Sequence, residues 1–335
     1  MARTFRLPKE APLLNIASYA RGGSRAADRL TPAQIEHIRL TVNRAPEVMV
    51  KVLSQGGGDM NAVSRHFDYI DRQGALTLEG DDGATLPGRN GKALLENWGL
   101  ELDEELRQMD LTSLRGRKPP RLAHKLVFSM PPGTPPQKVL SAVRNLAREE
   151  FHGQHRYAIV LHTDEPHPHV HLVLKAISEE GVRLNIKKAM LRHWRSQFAH
   201  HLRVQGVAAN ATERAVRGES RESMKDGIYR ASLRGDSTRM RARAESVAKE
   251  LAMRGGVQPG PGKRTLLETR AAVQNGWQAV VEKLVQQGDR RLAADAARFA
   301  SGMDRPQTDR ERIARGLLAQ VRTRQRQGCF DSISV

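Results

Sequence analysis

The chain has a single cysteine in 335 residues, Cys329, so no internal disulfide can form, in keeping with a reducing compartment. It has neither a long apolar run nor a plainly amphipathic, Trp-rich basic helix, which argues against membrane insertion. The opening stretch MARTFRLPKEAPLLNIASYARGG has basic residues but no continuous apolar core of signal-peptide length. Export by that route is not expected, and a bacterial cytoplasm fits best. There is no internal repeat. Acidic residues are in deficit, 37 Asp+Glu against 55 Lys+Arg, for a net charge of +18. A chain this basic expects a polyanionic partner, nucleic acid ahead of a membrane surface. Aromatics are also scarce. Residues 219–335 hold 23 Lys+Arg and 14 Asp+Glu but only Tyr229, Trp277, Phe299 and Phe330, so a dense independent core is not expected there.

The patterning divides the chain into an N-terminal extension (1–45), a mixed domain (46–218) and a basic, mostly helical C-terminal region (219–335). Thr31 followed by Pro32 makes an N-cap and N1 for a helix through AQIEHIRLTV. VMVKVLS (48–54) and ALTLEG fit strands flanking a helix over about 59–72. A helical stretch at about 94–109 and the basic connector RGRKPPR lead to HKLVFSMPPG, a strand stopped by Pro131 and Pro132. A helix from about Pro136 to Phe151 precedes YAIVLHT and PHVHLVLKAI, two strands, and then KKAMLRHWRSQFAHHLRVQG, a long helix ending at Gly206. Strands interleaved with helices in this order predict an α+β fold with an antiparallel sheet and flanking helices.

The stretch Leu161–Lys175, LHTDEPHPHVHLVLK, holds four histidines. If residues 163–168 form a hairpin loop, His162 stands opposite His169, and His171, two residues on, shares their sheet face. Leu161, Val170, Leu172 and Leu174 then point to the opposite face, where helices can cover them. Three converging imidazoles with open coordination positions are a catalytic metal arrangement rather than a closed structural one. Asp164 in the loop can hold the second nitrogen of a ligand histidine. Metal-bound hydroxide and a side-chain nucleophile both remain open on these residues alone.

A side-chain candidate lies on the helix over 59–72. Met60, Val63, Phe67 and Ile70 form one stripe at helical spacing, and Tyr69 lies well off it, between Arg65 at i−4 and Arg72 at i+3. Guanidinium groups there favour a phenolate and can hold a phosphodiester. Weaker candidates are Gly56–Gly58 as a phosphate-approaching turn, and RGRKPPR with KKAMLRHWR as a single-strand track on which Trp194 stacks bases.

The runs VMVKVLSQGGGDMNAVSRHFDYIDRQGALTLEG, HKLVFSMPPGTPPQKVLSAVRNLAREEF, YAIVLHTDEPHPHVHLVLKA and ATERAVRG, in this order, resemble the relaxases of conjugative and mobilisable elements. Within these they are most similar to the P-class mobilisation nucleases and T-DNA border endonucleases. These belong to the His-hydrophobe-His, or HUH, endonucleases, and His169-Val170-His171 matches that signature. The resemblance covers about 46–218. It implies a metal-dependent strand transferase that nicks single-stranded oriT DNA, with Tyr69 as nucleophile, His162, His169 and His171 as ligands of Mg²⁺ or Mn²⁺, and Asp164 as an orienting or proton-accepting carboxylate. Arg65 and Arg72 are the DNA-binding candidates, and His167 has no assigned role. The implied partners are auxiliary oriT-binding proteins and a type IV coupling protein, and the protein itself would pass to the recipient cell attached to DNA. A rolling-circle replication initiator and a non-catalytic relaxosome DNA-binding protein are the alternatives. The basic stretch 309–327 is the candidate secretion signal or DNA clamp.

Overall fold

A computed structural model describes residues 29–53, 58–86, 88, 91–111, 120–220, 228, 231–232 and 234–331. These fall into two compact units, one formed by Asn43–Ala211 and the other by residues 29–42 together with those from Thr212 onward.

The first unit is built on a six-stranded sheet of β1 (Met49–Val52), β2 (Leu78–Gly80), β3 (Thr85–Leu86), β4 (Ala123–Ser129), β5 (Tyr157–His162) and β6 (His169–Lys175), in the order β1-β4-β6-β5-β2-β3. Every pairing is antiparallel. The fold is α+β with an antiparallel sheet and flanking helices, as the sequence predicts. Because side chains alternate along a strand, the central strands supply two cores. On one face Leu126, Phe128, Ile159, Val170, Leu172 and Leu174 pack under two long helices, Pro136–Phe151 and Lys188–Val204. Trp194 is fully buried in this layer and donates from Nε1 to Glu150 at 3.2 Å, so it is a core residue and not a stacking platform.

On the other face Ala123, Ala158, Val160 and Val173 pack against the helix Met60–Ile70 and the pair Gly91–Asn97 and Leu100–Leu111. That pair replaces the single helix expected there, because Gly99 adopts φ 62° and breaks the run. The helix Met60–Ile70 starts on Asp59, whose side chain accepts from Ala62 N at 2.7 Å. Its apolar stripe settles the orientation. Val63, Phe67 and Ile70 are fully buried, each contributing about 1.5–3 kcal/mol, and Tyr69 is turned outward at 54% exposure. Gly91 is required where the next helix crosses, since a Cβ there would lie 2.6 Å from Phe67 Cβ.

In the second unit the helix Pro32–Val42 begins with reciprocal bonds between Thr31 and Gln34, a capping box with Gln at its third position. Among the described residues, the short 3-10 turn Arg214–Arg217 and four long helices follow: Thr238–Arg254, Lys263–Gln286, Arg290–Ser301 and Asp309–Asp331. Contrary to the expectation from sparse aromatics, this unit has its own core. Leu30 and Ile38 join Val216, Val273, Trp277, Val280, Leu284 and Leu292, and Gln287 clasps both backbone groups of Leu30 at 3.2 and 3.1 Å. Ala and Val at helical spacing do the work the missing aromatics would have done. No helix among the described residues is long and apolar enough to cross a membrane.

Candidate active site

The site begins with the β5–β6 register. His162 pairs directly with His169, and His171 lies across from Val160, so the three imidazoles share one face at the hairpin end. Their ring centroids are 4.5 Å (His162–His171), 5.0 Å (His162–His169) and 5.3 Å (His169–His171) apart. One nitrogen from each falls within 4.8 Å of the others. His162 and His171 are buried and His169 is half-buried.

The hydrogen bonds set the tautomers. A backbone carbonyl can only accept, so His162 donates from Nε2 to Ile70 O (2.7 Å) and keeps an Nδ1 lone pair. His169 donates from Nδ1 to His167 O (3.2 Å), leaving Nε2. His171 Nδ1 is buried and unpartnered among the described residues. Burial disfavours the imidazolium. It lowers His162 from its ordinary value, against the hydrogen bond to Ile70, and pushes His171 down to about 2, with His162 and His169 adding repulsion. Three imidazoles with nitrogens this close, one of them an orphaned buried ring, fit a divalent cation. Imidazole alone does not choose between Mg²⁺, Mn²⁺ and Zn²⁺.

The helix Met60–Ile70 brings Tyr69 to this cluster, its ring centroid 6.2 Å from that of His171 in an edge arrangement. Immediately beyond, Arg72 and Gln73 take φ 53° and 58°, unusual for non-glycine residues, before Gly74 at 93°. That turn folds the Arg72 side chain back over the site. Its guanidinium carbon lies 5.0 Å from the Tyr69 ring centroid, Nη1 reaches Tyr69 O at 3.3 Å, and Nη2 contacts both His162 Nδ1 (3.3 Å) and the Asp164 carboxylate. Partial desolvation acts to raise Asp164, but the hydrogen bond and charge of Arg72 prevail and hold its carboxyl below the ordinary value. Asp164 Oδ1 stands 3.9 Å from His162 Nδ1.

Tyr69, Arg72, Asp164 and the three histidines therefore meet in one place, although about ninety residues of chain separate the helix from the hairpin. Arg65 does not join them. It is exposed and makes no hydrogen bond or ion pair among the described residues. His167 pairs with Glu165 at 3.0 Å at the loop tip. Gly56, Gly57 and most of RGRKPPR lie outside the described residues.

Two neighbours escaped the sequence reading. His66 stacks on Tyr69 (6.1 Å, 20°) and meets the edge of His171 (5.9 Å), with Nε2 buried and unpartnered among the described residues. Burial, then the charges of Lys125 and His162, push it down to about 3. The signal was available, since at 100° per residue His66 falls between the apolar stripe and Tyr69. Lys125, buried on the same sheet face, donates to Ala62 O at 3.1 Å and is lowered to about 8 by burial, then by Arg121 and Arg65. Only the strand register could have placed it.

The part of the chain that carries the histidine cluster is similar to relaxases. Residues 87–206 match the family model "Relaxase: MobA/VirD2-like, nuclease domain", a span that contains the hairpin and begins after Tyr69. The chain is similar to the T-DNA border endonuclease VirD2 of Rhizobium radiobacter, 23% identical over 51% of this chain and 43% of that protein. The VirD2 of Agrobacterium fabrum (strain C58 / ATCC 33970) is 24% identical over 58% of this chain and 46% of its own length. The chain thus spans less than half the length of these relatives. A solved structure from work on the molecular basis of vancomycin resistance transfer in Staphylococcus aureus covers 50% of this chain and 98% of its own, with 13% identity and a TM-score of 0.31.

Proposed function

We propose that this protein is a DNA relaxase that nicks one strand at an origin of transfer and later reseals it, with Tyr69 as nucleophile and His162, His169 and His171 holding a Mg²⁺ or Mn²⁺ ion. The observation that carries this reading is the approach of the Tyr69 ring to within 6.2 Å of His171 at the mouth of the three-imidazole cluster. A tyrosine with only a packing role has no reason to be half exposed beside buried neutral histidines.

When bound, the ion supplies positive charge against a non-bridging phosphate oxygen. The Tyr69 oxygen attacks phosphorus and the bond from phosphorus to the 3′ oxygen breaks. The phenolic proton passes to water, and the departing 3′ oxygen takes one up. The products are a 5′-phosphotyrosyl link and a free 3′-hydroxyl. The retained phosphoester energy lets that hydroxyl reverse the step, which hydrolysis would forbid. Arg72, over the Tyr69 ring, offers charge to the phosphate. Asp164 is held by Arg72 with its carboxyl below the ordinary value, which favours its orienting role over proton acceptance. Single-stranded oriT DNA, auxiliary oriT-binding proteins and a type IV coupling protein are the partners this reading expects, with the nuclease domain over 46–218 and the basic region beyond it serving transfer.

The test is incubation of the full chain with a randomised single-stranded DNA library and Mn²⁺, followed by isolation of denaturant-resistant adducts and mapping of the linked peptide. Linkage at Tyr69 supports the reading. Linkage at Tyr19, or cleavage that leaves no adduct, overturns it.

A further inference from the structure

We propose that Arg72 is a positioning residue that guards the ion site. Its guanidinium hydrogen-bonds the lone pair of His162 that the ion needs, so guanidinium and ion compete for one nitrogen. This inference rests on the reading of His162, His169 and His171 as ligands.

The geometry allows little else. His162 is committed at Nε2, because the Ile70 carbonyl 2.7 Å away accepts a proton and cannot give one. The sole lone pair of the neutral ring is at Nδ1. Arg72 Nη2 stands 3.3 Å from that atom and has only protons to offer. A guanidinium does not deprotonate in proteins, so it cannot yield the position by losing a proton. A hydrogen bond from Arg72 and a coordinated ion are therefore mutually exclusive at His162 Nδ1, and the side chain must move.

It has somewhere to go. The same Nη2 already contacts Asp164, Nη1 holds Tyr69 O at 3.3 Å, and the guanidinium lies over the Tyr69 ring. Nη1 can stay on Tyr69 O as the pivot while Nη2 swings off His162, and Asp164, half exposed in its loop, can follow. The left-handed conformation of Arg72, φ 53°, is what points the side chain inward. The consequence is an ion site whose affinity is set in part by a cation of the chain itself.

The experiment measures Mn²⁺ binding to the full chain without DNA, by calorimetry, for the wild type and Arg72→Met. Met keeps the aliphatic stem and removes both charge and donor. Repulsion between a guanidinium and a divalent ion at this separation, discounted for partial exposure, predicts Mn²⁺ affinity about tenfold tighter in Arg72→Met, and added guanidinium chloride at constant ionic strength weakening it again. A second measurement needs no variant. In ¹⁵N-histidine-labelled wild-type protein, the Nδ1 resonance of His162 carries the signature of an accepted hydrogen bond and shifts to that of a coordinated nitrogen on titration with Zn²⁺. Unchanged or weaker Mn²⁺ binding in a folded Arg72→Met overturns the proposal, as does a His162 Nδ1 that is protonated without metal. Adduct formation at Tyr69, assayed separately, reports on the nuclease reading and leaves this result standing either way.

Discussion

The Nε2–H of His162 donates to the carbonyl of Ile70 at 2.7 Å, tying the histidine hairpin to the residue after Tyr69. One imidazole thus has two jobs. Its Nδ1 keeps the lone pair left for the proposed ion, and its Nε2 fixes the end of the helix that carries the proposed nucleophile, the arrangement by which a ligand's second nitrogen orients a site.

His162→Ala should therefore differ from His169→Ala. Both lose adduct formation, but only the first leaves a buried carbonyl without a donor and a cavity in a fully buried position, at a cost of about 1–3 kcal/mol. Urea unfolding of metal-free protein measures this. Equal destabilisation by the two substitutions would show that the bond to Ile70 contributes nothing.

Tyr69→Phe removes one oxygen from an exposed ring and no charge. Adduct formation should vanish, while affinity for single-stranded DNA and the melting temperature stay near wild type. A denaturant-resistant adduct surviving in Tyr69→Phe would end the assignment.

Gly91→Ala tests how closely helix placement controls the site from a distance. The added Cβ would meet Phe67 Cβ at 2.6 Å, and Phe67 sits two residues before Tyr69. Overpacking of this kind costs about 1–3 kcal/mol. The expected result is a lower melting temperature together with slower adduct formation. Wild-type stability and rate would mean that the neighbouring helices part without moving Tyr69.

The strand parity of His162, His169 and His171, and the outward angle of Tyr69, were legible because periods of 2 and 3.6 residues fix faces without tertiary information. That the two faces meet was not legible from periodicity and came only from the family resemblance. Arg72 entered as a DNA contact because it lies at i+3 from Tyr69 and a guanidinium can hold a phosphodiester. Its inward turn depends on a left-handed backbone at three consecutive residues, of which only Gly74 announces itself. Trp194, a weak stacking candidate in a basic stretch, is the core residue that helical spacing more often makes of a tryptophan. The second core was missed because it is built mostly from Val, Leu and Ala and takes Leu30 and Ile38 from the other end of the chain.

Acid should weaken the metal-free protein through His66 and His171, lowered by burial to about 3 and about 2. Unfolded, both titrate near 6.5. Below that pH the unfolded chain binds protons that the folded chain refuses, so their contribution is complete above about pH 6.5 and is lost as pH falls toward 3. The slope is on the order of 1 kcal/mol per pH unit for each group. Urea unfolding in chelator between pH 7.5 and 5 should show it, with a shallower slope in His66→Gln. An identical slope in that variant would mean that His66 is not held neutral by the fold.

The last prediction concerns where the chain can be cut. The helix Pro32–Val42 packs with residues after Thr212: Ile38 shares a core with Trp277 and Val280, Thr41 Oγ1 meets Thr212 Oγ1 at 2.9 Å, and Gln287 holds Leu30. A chain ending near Gly218 but keeping its N-terminus strips that helix of its apolar partners and exposes Leu30 and Ile38. Residues 43–211, by contrast, hold the entire sheet, both of its cores and every residue of the candidate site. The fragment 43–211 should fold, bind Mn²⁺ with wild-type affinity and form the adduct on a short single strand, whereas a fragment 1–218 should associate or precipitate. Light scattering and adduct yield on the two fragments decide it. A folded 43–211 that binds Mn²⁺ and DNA but forms no adduct would mean that the helical unit takes part in the chemistry itself.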